Sequence, residues 1–377
     1  MKKIIVADFI EYNSQTAKLG NYHYCNCFIK DGYEALWVSN AFNYLVYFKD
    51  REDYNFKKSI STPTRHKLAP NVYGFAPFAT RLYGNYPFSR SPKIIERFTQ
   101  YVKPDACDSF RRIDFGEVDV LWISNPKAYW LTEVVKYNKL IYRIADDYSR
   151  FAEFPNIAPI DELLIRKADG VVISSSTLET HVQQAGKQPL VLSNGVTFEH
   201  FSQKDVPVPP EYLGRERKRL VYVGALKYWL DKDLLRQIAA QVDADIYLIG
   251  KCETDLASLA DCDNIHLLGP RSYELLPGYL QHADVALIPF LKSSITDSIS
   301  PLKLYEYCSA GVAVVSANLT ETAKLNAPIW LANDHEEFIS GINHYLSQGY
   351  DRKALLEFGR SNAWDVRYAQ LKQTFLK

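Results

Sequence analysis

Between Asp284 and Ser316 the chain reads DVALIPFLKSSITDSISPLKLYEYCSAGVAVVS, a strand, a loop, a helix and a second strand in one short stretch. Val285–Phe290 is a brief β-branched apolar run of the kind buried inside a sheet. Ser300-Pro301 announces a helix, with serine as N-cap and proline at the first helical position, where its missing N–H costs nothing. The helix runs from Pro301 to about Ala310, Gly311 ends it, and Val312–Ser316 is the next strand. A strand, a crossover helix and a strand in that order make a parallel pair.

The same alternation runs along the whole chain and predicts an α/β protein built on parallel sheets. In the first half, strands are predicted at Ile4–Phe9, Ala35–Ser39, Asn71–Phe75, Val120–Ile123, Leu140–Ile144, Gly170–Ser174 and Leu190–Ser193. Helices fall near Tyr22–Asp31, Lys127–Tyr137, Pro159–Lys167 and Ser176–Gln184. Ser202–Arg219 (SQKDVPVPPEYLGRERKR) then breaks the pattern, being proline-rich, charged and aperiodic. Strands resume at Leu220–Val223, Ile246–Ile249, Ile265–Leu268, Val285–Pro289, Val312–Ser316 and Ile329–Ala332, and Ala354–Lys377 reads as helix. A chain of 377 residues exceeds one ordinary core and fits two Rossmann-sized domains. The expected layout is a domain over 1–204, a linker over 205–219, a second domain over 220–355 and a terminal helix over 356–377.

Composition excludes several classes. The 44 basic and 44 acidic residues balance, so charge gives no argument for a nucleic-acid partner. No apolar run reaches membrane-spanning length, and MKKIIVADFIEYNSQ turns polar too soon for a signal peptide. Among six cysteines only Cys25 and Cys27 are close, and none has metal-ligand spacing. Reduced thiols, a cytoplasmic setting and no metal site are therefore expected.

Chemistry concentrates where strands end. Lys303 and Glu306 are three apart and share one helix face within the first two turns. A helix N-terminus carries free N–H groups and partial positive charge, which suit a diphosphate. The hydroxyls of Ser298 and Ser300 lie beside it. Lys303 adds a point charge for phosphate, and Glu306 can accept both hydrogen bonds of a ribose diol. In LIYRIADDYSR a second strand ends at Ala145, so Asp146 and Asp147 project from its tip, where open α/β sheets place ligands. Either the pair caps the following helix, or one carboxylate is a general base. The first strand lacks a G-x-G-x-x-G turn, and the nearest glycine is Gly20, followed by His23. That histidine is either structural or faces a substrate. From Arg81 to Arg112, Arg81, Arg90, Lys93, Arg97, Lys103, Arg111 and Arg112 interleave with Tyr83, Tyr86, Phe88, Phe98, Tyr101 and Phe110. Such interleaving suits an anionic membrane interface or a solvated face over buried aromatics.

Ile288-Pro289-Phe290 followed by SPLKLYEYCSAGVAVV resembles the sugar-nucleotide signature of glycosyltransferases with the two-domain GT-B fold. Arg219–Leu226 (RLVYVGAL), Ile246–Gly250 (IYLIG) and Ile265–Pro270 (IHLLGP) resemble the opening strands of the donor domain. Leu192–Val196 (LSNGV), with Phe201 beyond, is similar to the N-G-V…F element at the end of the acceptor domain. The resemblance implies two Rossmann-like domains facing each other across a cleft, with the last helix crossing back to the first and Trp364 as its anchor. It also implies a UDP-sugar as substrate, no cofactor and no metal, with Gly224 and Lys227 at the nucleotide beside Lys303 and Glu306.

Y-R-x-x-D, at Tyr142-Arg143 and Asp146, resembles the bacterial β-glucuronosyltransferases of xanthan assembly. That match implies an inverting transfer with Asp146 as base, Asp147 second and Arg143 as orienting neighbour. The acceptor would be a lipid-linked oligosaccharide in surface polysaccharide synthesis, reached from the inner membrane face. One departure stands out: retaining relatives carry a glutamate eight residues before the ribose glutamate, and here that position is Ser298, with Asp297 one place off. Other readings are a retaining group 1 transferase, a sugar-nucleotide 2-epimerase and a non-catalytic sugar-binding subunit.

Overall fold

The computed structural model describes all residues except 15–17, 86–87, 149–153, 294–295, 297–301 and 377. The chain divides into two compact units, Met1–Ser193 with Tyr368–Lys377, and Asn194–Arg367.

The first unit carries β1 (Lys2–Ala7), β2 (Tyr33–Val38), β3 (His66–Ala69), β4 (Val72–Phe75), β5 (Phe78–Ala79), β6 (Val102–Lys103), β7 (Glu117–Ile123), β8 (Lys136–Ile144), β9 (Gly170–Ile173) and β10 (Leu190–Val191). Eight of them form one sheet in the order β10-β9-β8-β7-β1-β2-β4-β3, parallel except for the β3 edge. The chain runs outward one way from β1 and the other way from β7, so strand order reverses between these two neighbours. Ligands in open α/β sheets bind at such a switch point, beyond the carboxyl ends of the strands. The runs IIVA in β1, ALWV in β2 and VLWI in β7 are almost wholly buried, as expected of strands covered on both faces.

The second unit carries β11 (Lys218–Val223), β12 (Ala244–Ile249), β13 (Ile265–Gly269), β14 (Val285–Ile288), β15 (Ala313–Ala317) and β16 (Trp330–Ala332). Its sheet is parallel throughout, in the order β13-β12-β11-β14-β15-β16, with the reversal between β11 and β14. All six strands expected here are present within a residue or two.

Elsewhere the structure departs from the expected pattern. Lys127–Tyr137 is not one helix: two short turns at Pro126–Ala128 and Leu131–Val134 lead directly into β8 at Lys136. The tail is two helices, Arg352–Ser361 and Trp364–Phe375. The segment expected to close the first domain packs instead into the second core through Val196, Phe198 and Phe201. Gly195 explains its N-G-V sequence, because a Cβ there would lie 2.9 Å from the Trp364 ring and 3.0 Å from the Asn362 carbonyl. Val196 exchanges backbone hydrogen bonds with Asn362 and Trp364, so Trp364 anchors the tail within the second unit. The proline-rich 205–217 stretch also packs there, with Tyr212 buried against Tyr247 and Tyr279.

From Tyr368 onward the helix belongs to the first unit. Tyr368 and Lys372 both donate to the Asp31 carboxylate, at 3.1 and 2.6 Å, and hold its pKa below the ordinary carboxylate value. Leu371 is fully buried, and the Phe375 ring fills the space left by Gly170 at the start of β9. Leu371→Ala is expected to cost about 2–5 kcal/mol, the usual range for a buried leucine. Urea unfolding of the two proteins checks this, and an unchanged midpoint would show that the tail contributes nothing to stability.

Candidate active site

In the second unit, β11 ends at Val223 and its last ladder contact with β14 is at Val221. Tyr307, in the Leu302–Ala310 helix, makes up part of the missing ladder. Its hydroxyl accepts from the Val223 N–H at 2.8 Å and donates to the Val223 carbonyl at 3.2 Å. One turn earlier, this registers Lys303 against the strand end. Gly224 follows with φ +145°, and a Cβ there would stand 2.7 Å from Lys303 Cε. Gly250, at the tip of β12, has φ +149°, and its Cβ would fall 2.0 Å from the Gly224 carbonyl oxygen. Both positions need glycine for backbone angle and for space. The switch-point end of this sheet is therefore bare backbone beside one cation.

The Lys303 ammonium lies 5.3 Å from the Tyr222 ring centroid and 5.1 Å from that of Phe290. Burial lowers its pKa to about 8, against the pull of Glu306. Burial likewise raises Glu306 to about 7, against the pull of Lys303. Among the described residues neither group has an ion-pair or hydrogen-bond partner. A desolvated charge without a partner is costly, and such groups cluster where a ligand supplies the missing contacts. Lys227 differs: its ammonium is 3.2 Å from Glu253 and over the Trp229 ring, so its charge is already matched. Ser298 and Ser300, with Pro301 and Asp297, lie outside the described residues.

In the first unit the switch-point end gathers Asp8, Asn21, Ser124, Arg143 and Asp146. Asp8 follows β1 directly and is buried. It accepts from the Phe9 N–H at 2.7 Å and from Asn21, yet burial outweighs these bonds and raises its pKa. Asn21 is held in turn by Trp122 and Ser124, at 3.0 and 2.9 Å. The buried Arg143 guanidinium acts on both Asp8 and Asp146, favouring their charged forms. Asp146 is solvent-accessible, but enough protein surrounds it that desolvation raises its pKa despite Arg143. The arrangement offers one reachable carboxylate with raised basicity, in the field of an arginine that also acts on the buried Asp8.

His23 does not join this group. Its Nε2 donates to the Lys18 carbonyl at 3.1 Å, and burial lowers its pKa to about 4, so it is neutral at physiological pH. Asp147 instead acts electrostatically on His181, whose imidazole is hydrogen-bonded to Asp161. Asp161 also accepts the Tyr142 hydroxyl and raises the His181 pKa above its ordinary 6.5. A histidine raised on folding stabilises most below its unfolded pKa and loses that contribution as pH rises through its folded pKa. His181→Gln should therefore lower the melting temperature most at about pH 6, with the gap narrowing toward alkaline pH. Thermal melts of both proteins across pH check this, and a constant gap would refute it.

Sequence reasoning missed Asp8, Gly250 and Tyr307 as site residues. The first strand ending directly on an aspartate was a usable signal for Asp8. Among the described residues no group of His, Cys, Asp and Glu side chains could hold a metal ion, and no helix is long and apolar enough to cross a membrane. All six cysteines are free thiols.

Two parallel-sheet units with their chemistry at the switch points define a class, and known proteins agree on it. Residues 217–348, from β11 onward, match the family model for group 1 glycosyl transferases. TuaH of Bacillus subtilis (strain 168), named as a glycosyltransferase of teichuronic acid biosynthesis, is 26% identical over 68% of this chain and 71% of its own. Sucrose-phosphate synthase from Thermosynechococcus elongatus superposes with a TM-score of 0.68 at 12% identity, covering 99% of this chain and 98% of that one. HepE from Anabaena, solved with UDP-glucose, gives 0.65 at 14% identity and 99% of both chains. The Escherichia coli trehalose-6-phosphate enzyme bound with UDP-2-fluoro glucose gives 0.66 at 13% identity, covering 99% and 98%. The chain thus has the two-domain fold of the GT-B glycosyltransferases, and its residues 217–348 match their group 1 domain.

Proposed function

We infer that the protein moves a sugar from a UDP-sugar onto a lipid-linked oligosaccharide during synthesis of a bacterial surface polysaccharide. The observation that carries this is Lys303 and Glu306, buried and with no ion-pair or hydrogen-bond partner among the described residues, with Lys303 against the bare backbone of Gly224. A diphosphate would supply the anion Lys303 lacks, and a ribose diol the hydrogen bonds Glu306 lacks. The UDP and UDP-sugar bound in solved relatives of the same fold support that donor class. The relative named for teichuronic acid synthesis supports a polysaccharide product. Glucuronic acid is the sugar we favour, on the likeness of Tyr142-Arg143 and Asp146 to β-glucuronosyltransferases.

The transfer proceeds with inversion. Asp146 takes the acceptor hydroxyl proton while that oxygen attacks the anomeric carbon and the nucleoside diphosphate leaves. Arg143 positions the carboxylate, and Lys303 takes up the negative charge gathering on the leaving diphosphate, with no metal ion required. Incubation with a panel of UDP-sugars, with and without lipid-linked acceptor, tests this reading. Acceptor-dependent release of UDP from UDP-glucuronic acid is the expected result. Conversion of the donor without acceptor would establish an epimerase, and binding without turnover a non-catalytic subunit.

A further inference from the structure

One surface of the first unit is unlike the rest of the molecule. The Tyr44–Lys49 helix buries none of its six residues. Tyr44 and Leu45 are each 70% exposed and Phe48 83%, while Phe88, on a separate loop, is 86% exposed. A short helix that leaves its large apolar side chains in water gains nothing from them in the folded monomer.

The two elements belong to one region. The Tyr44 ring packs 5.1 Å from Phe78 of β5, whose strand leads into Arg81, and Arg81 donates to the Phe88 carbonyl at 2.7 Å. A cavity of about 370 Å³ is lined from both stretches of chain, by Val46 and Lys49 of the helix and by Leu82, Tyr83 and Ile95. Charge separates the candidate occupants. Residues 81–104 hold Arg81, Arg90, Lys93, Arg97 and Lys103 against the single acid Glu96, a net +4 in a chain whose total is zero. All five cations are exposed, and among the described residues none forms an ion pair. Exposed aromatic and leucine side chains beside unpaired cations fit the boundary of an anionic bilayer, where rings enter the headgroup layer and cations meet phosphate.

We propose that the Tyr44–Lys49 helix and Phe88 form a membrane-docking surface that inserts Leu45, Phe48 and Phe88 into an anionic bilayer, with the 81–104 cations on the headgroups. The surface rests on the lipid-linked acceptor reading and adds to it.

Flotation with vesicles of phosphatidylcholine, alone or mixed with phosphatidylglycerol, tests the surface. The full-length protein should float with the mixed vesicles and progressively less as salt rises, since charges are screened over about 10 Å at 0.1 M. The double variant Leu45→Ser/Phe48→Ser should lose about tenfold or more in binding, because membrane affinity follows buried apolar area. Arg90→Glu/Lys93→Glu should lose the preference for phosphatidylglycerol. UDP affinity should be unchanged in both, which confirms their folding. A serine variant that floats like the parent would overturn this surface, as would a parent protein that floats with neither vesicle. A dimer broken by the serine variant, without vesicle binding, would assign the patch to self-association and overturn it too. Transfer to lipid-linked acceptor in detergent reports on the functional reading alone, so the two fail separately.

Discussion

Lys303→Ala is expected to weaken UDP binding by about 1–3 kcal/mol, or roughly 5- to 150-fold, the worth of a hydrogen bond to a charged group. The ammonium stands over the Tyr222 and Phe290 rings and has no ion-pair partner among the described residues, so a phosphate would compensate its partial desolvation. Its pKa of about 8 gives the effect a pH signature. The protonated form binds the diphosphate, so affinity should fall as pH rises beyond about 8. Lys303→Ala should abolish that alkaline fall, because no titrating group remains at the position. Glu306→Ala should weaken UDP more than 2′-deoxy-UDP, since only the ribose diol offers two hydrogens. Calorimetry across pH reads all of this. Unaltered affinity in both variants would remove the nucleotide from this end of the sheet.

What the sequence made legible follows the range of the forces involved. Strand periodicity, the Lys303–Glu306 spacing and the glycine after RLVYV are local, and the six strands of the second sheet could be read from them. Short elements such as β3, β5 and β6 depend on partners distant in the chain and were not predicted. Lys127–Tyr137 has helical composition, but Lys136 pairs with Glu117 of β7 and draws the segment into the sheet. The same holds for the site. Tyr307 is one tyrosine among 26 until its hydroxyl is seen bridging Val223, and Gly250 shows its need for glycine only where β11 and β12 lie side by side. The unit to which 194–201 belongs is fixed by Asn362 and Trp364, more than 150 residues away, which no local pattern records.

Asp146→Asn is expected to lower turnover by about two to four orders of magnitude while leaving UDP affinity nearly unchanged. Asparagine keeps the shape and most of the hydrogen bonding but cannot accept the acceptor's proton. Asp8 also has a raised pKa at the same sheet end, so exposure decides between them. Asp8 is 6% exposed and held by Asn21 and the Phe9 amide, whereas Asp146 is open to solvent. Asp8→Asn should therefore act indirectly, by removing a charge that acts on Arg143, and its loss should be smaller and partly one of KM. Asp147→Asn should do less still, because the charge of that side chain acts on His181. The pH profile carries the sign: kcat/KM should fall as pH drops through the raised Asp146 pKa, where the base becomes protonated. The product's anomeric configuration, read by NMR, should be opposite to the donor's. Full turnover in Asp146→Asn, or a retained configuration, would remove the base from β8 and return attention to the 297–301 segment before Lys303.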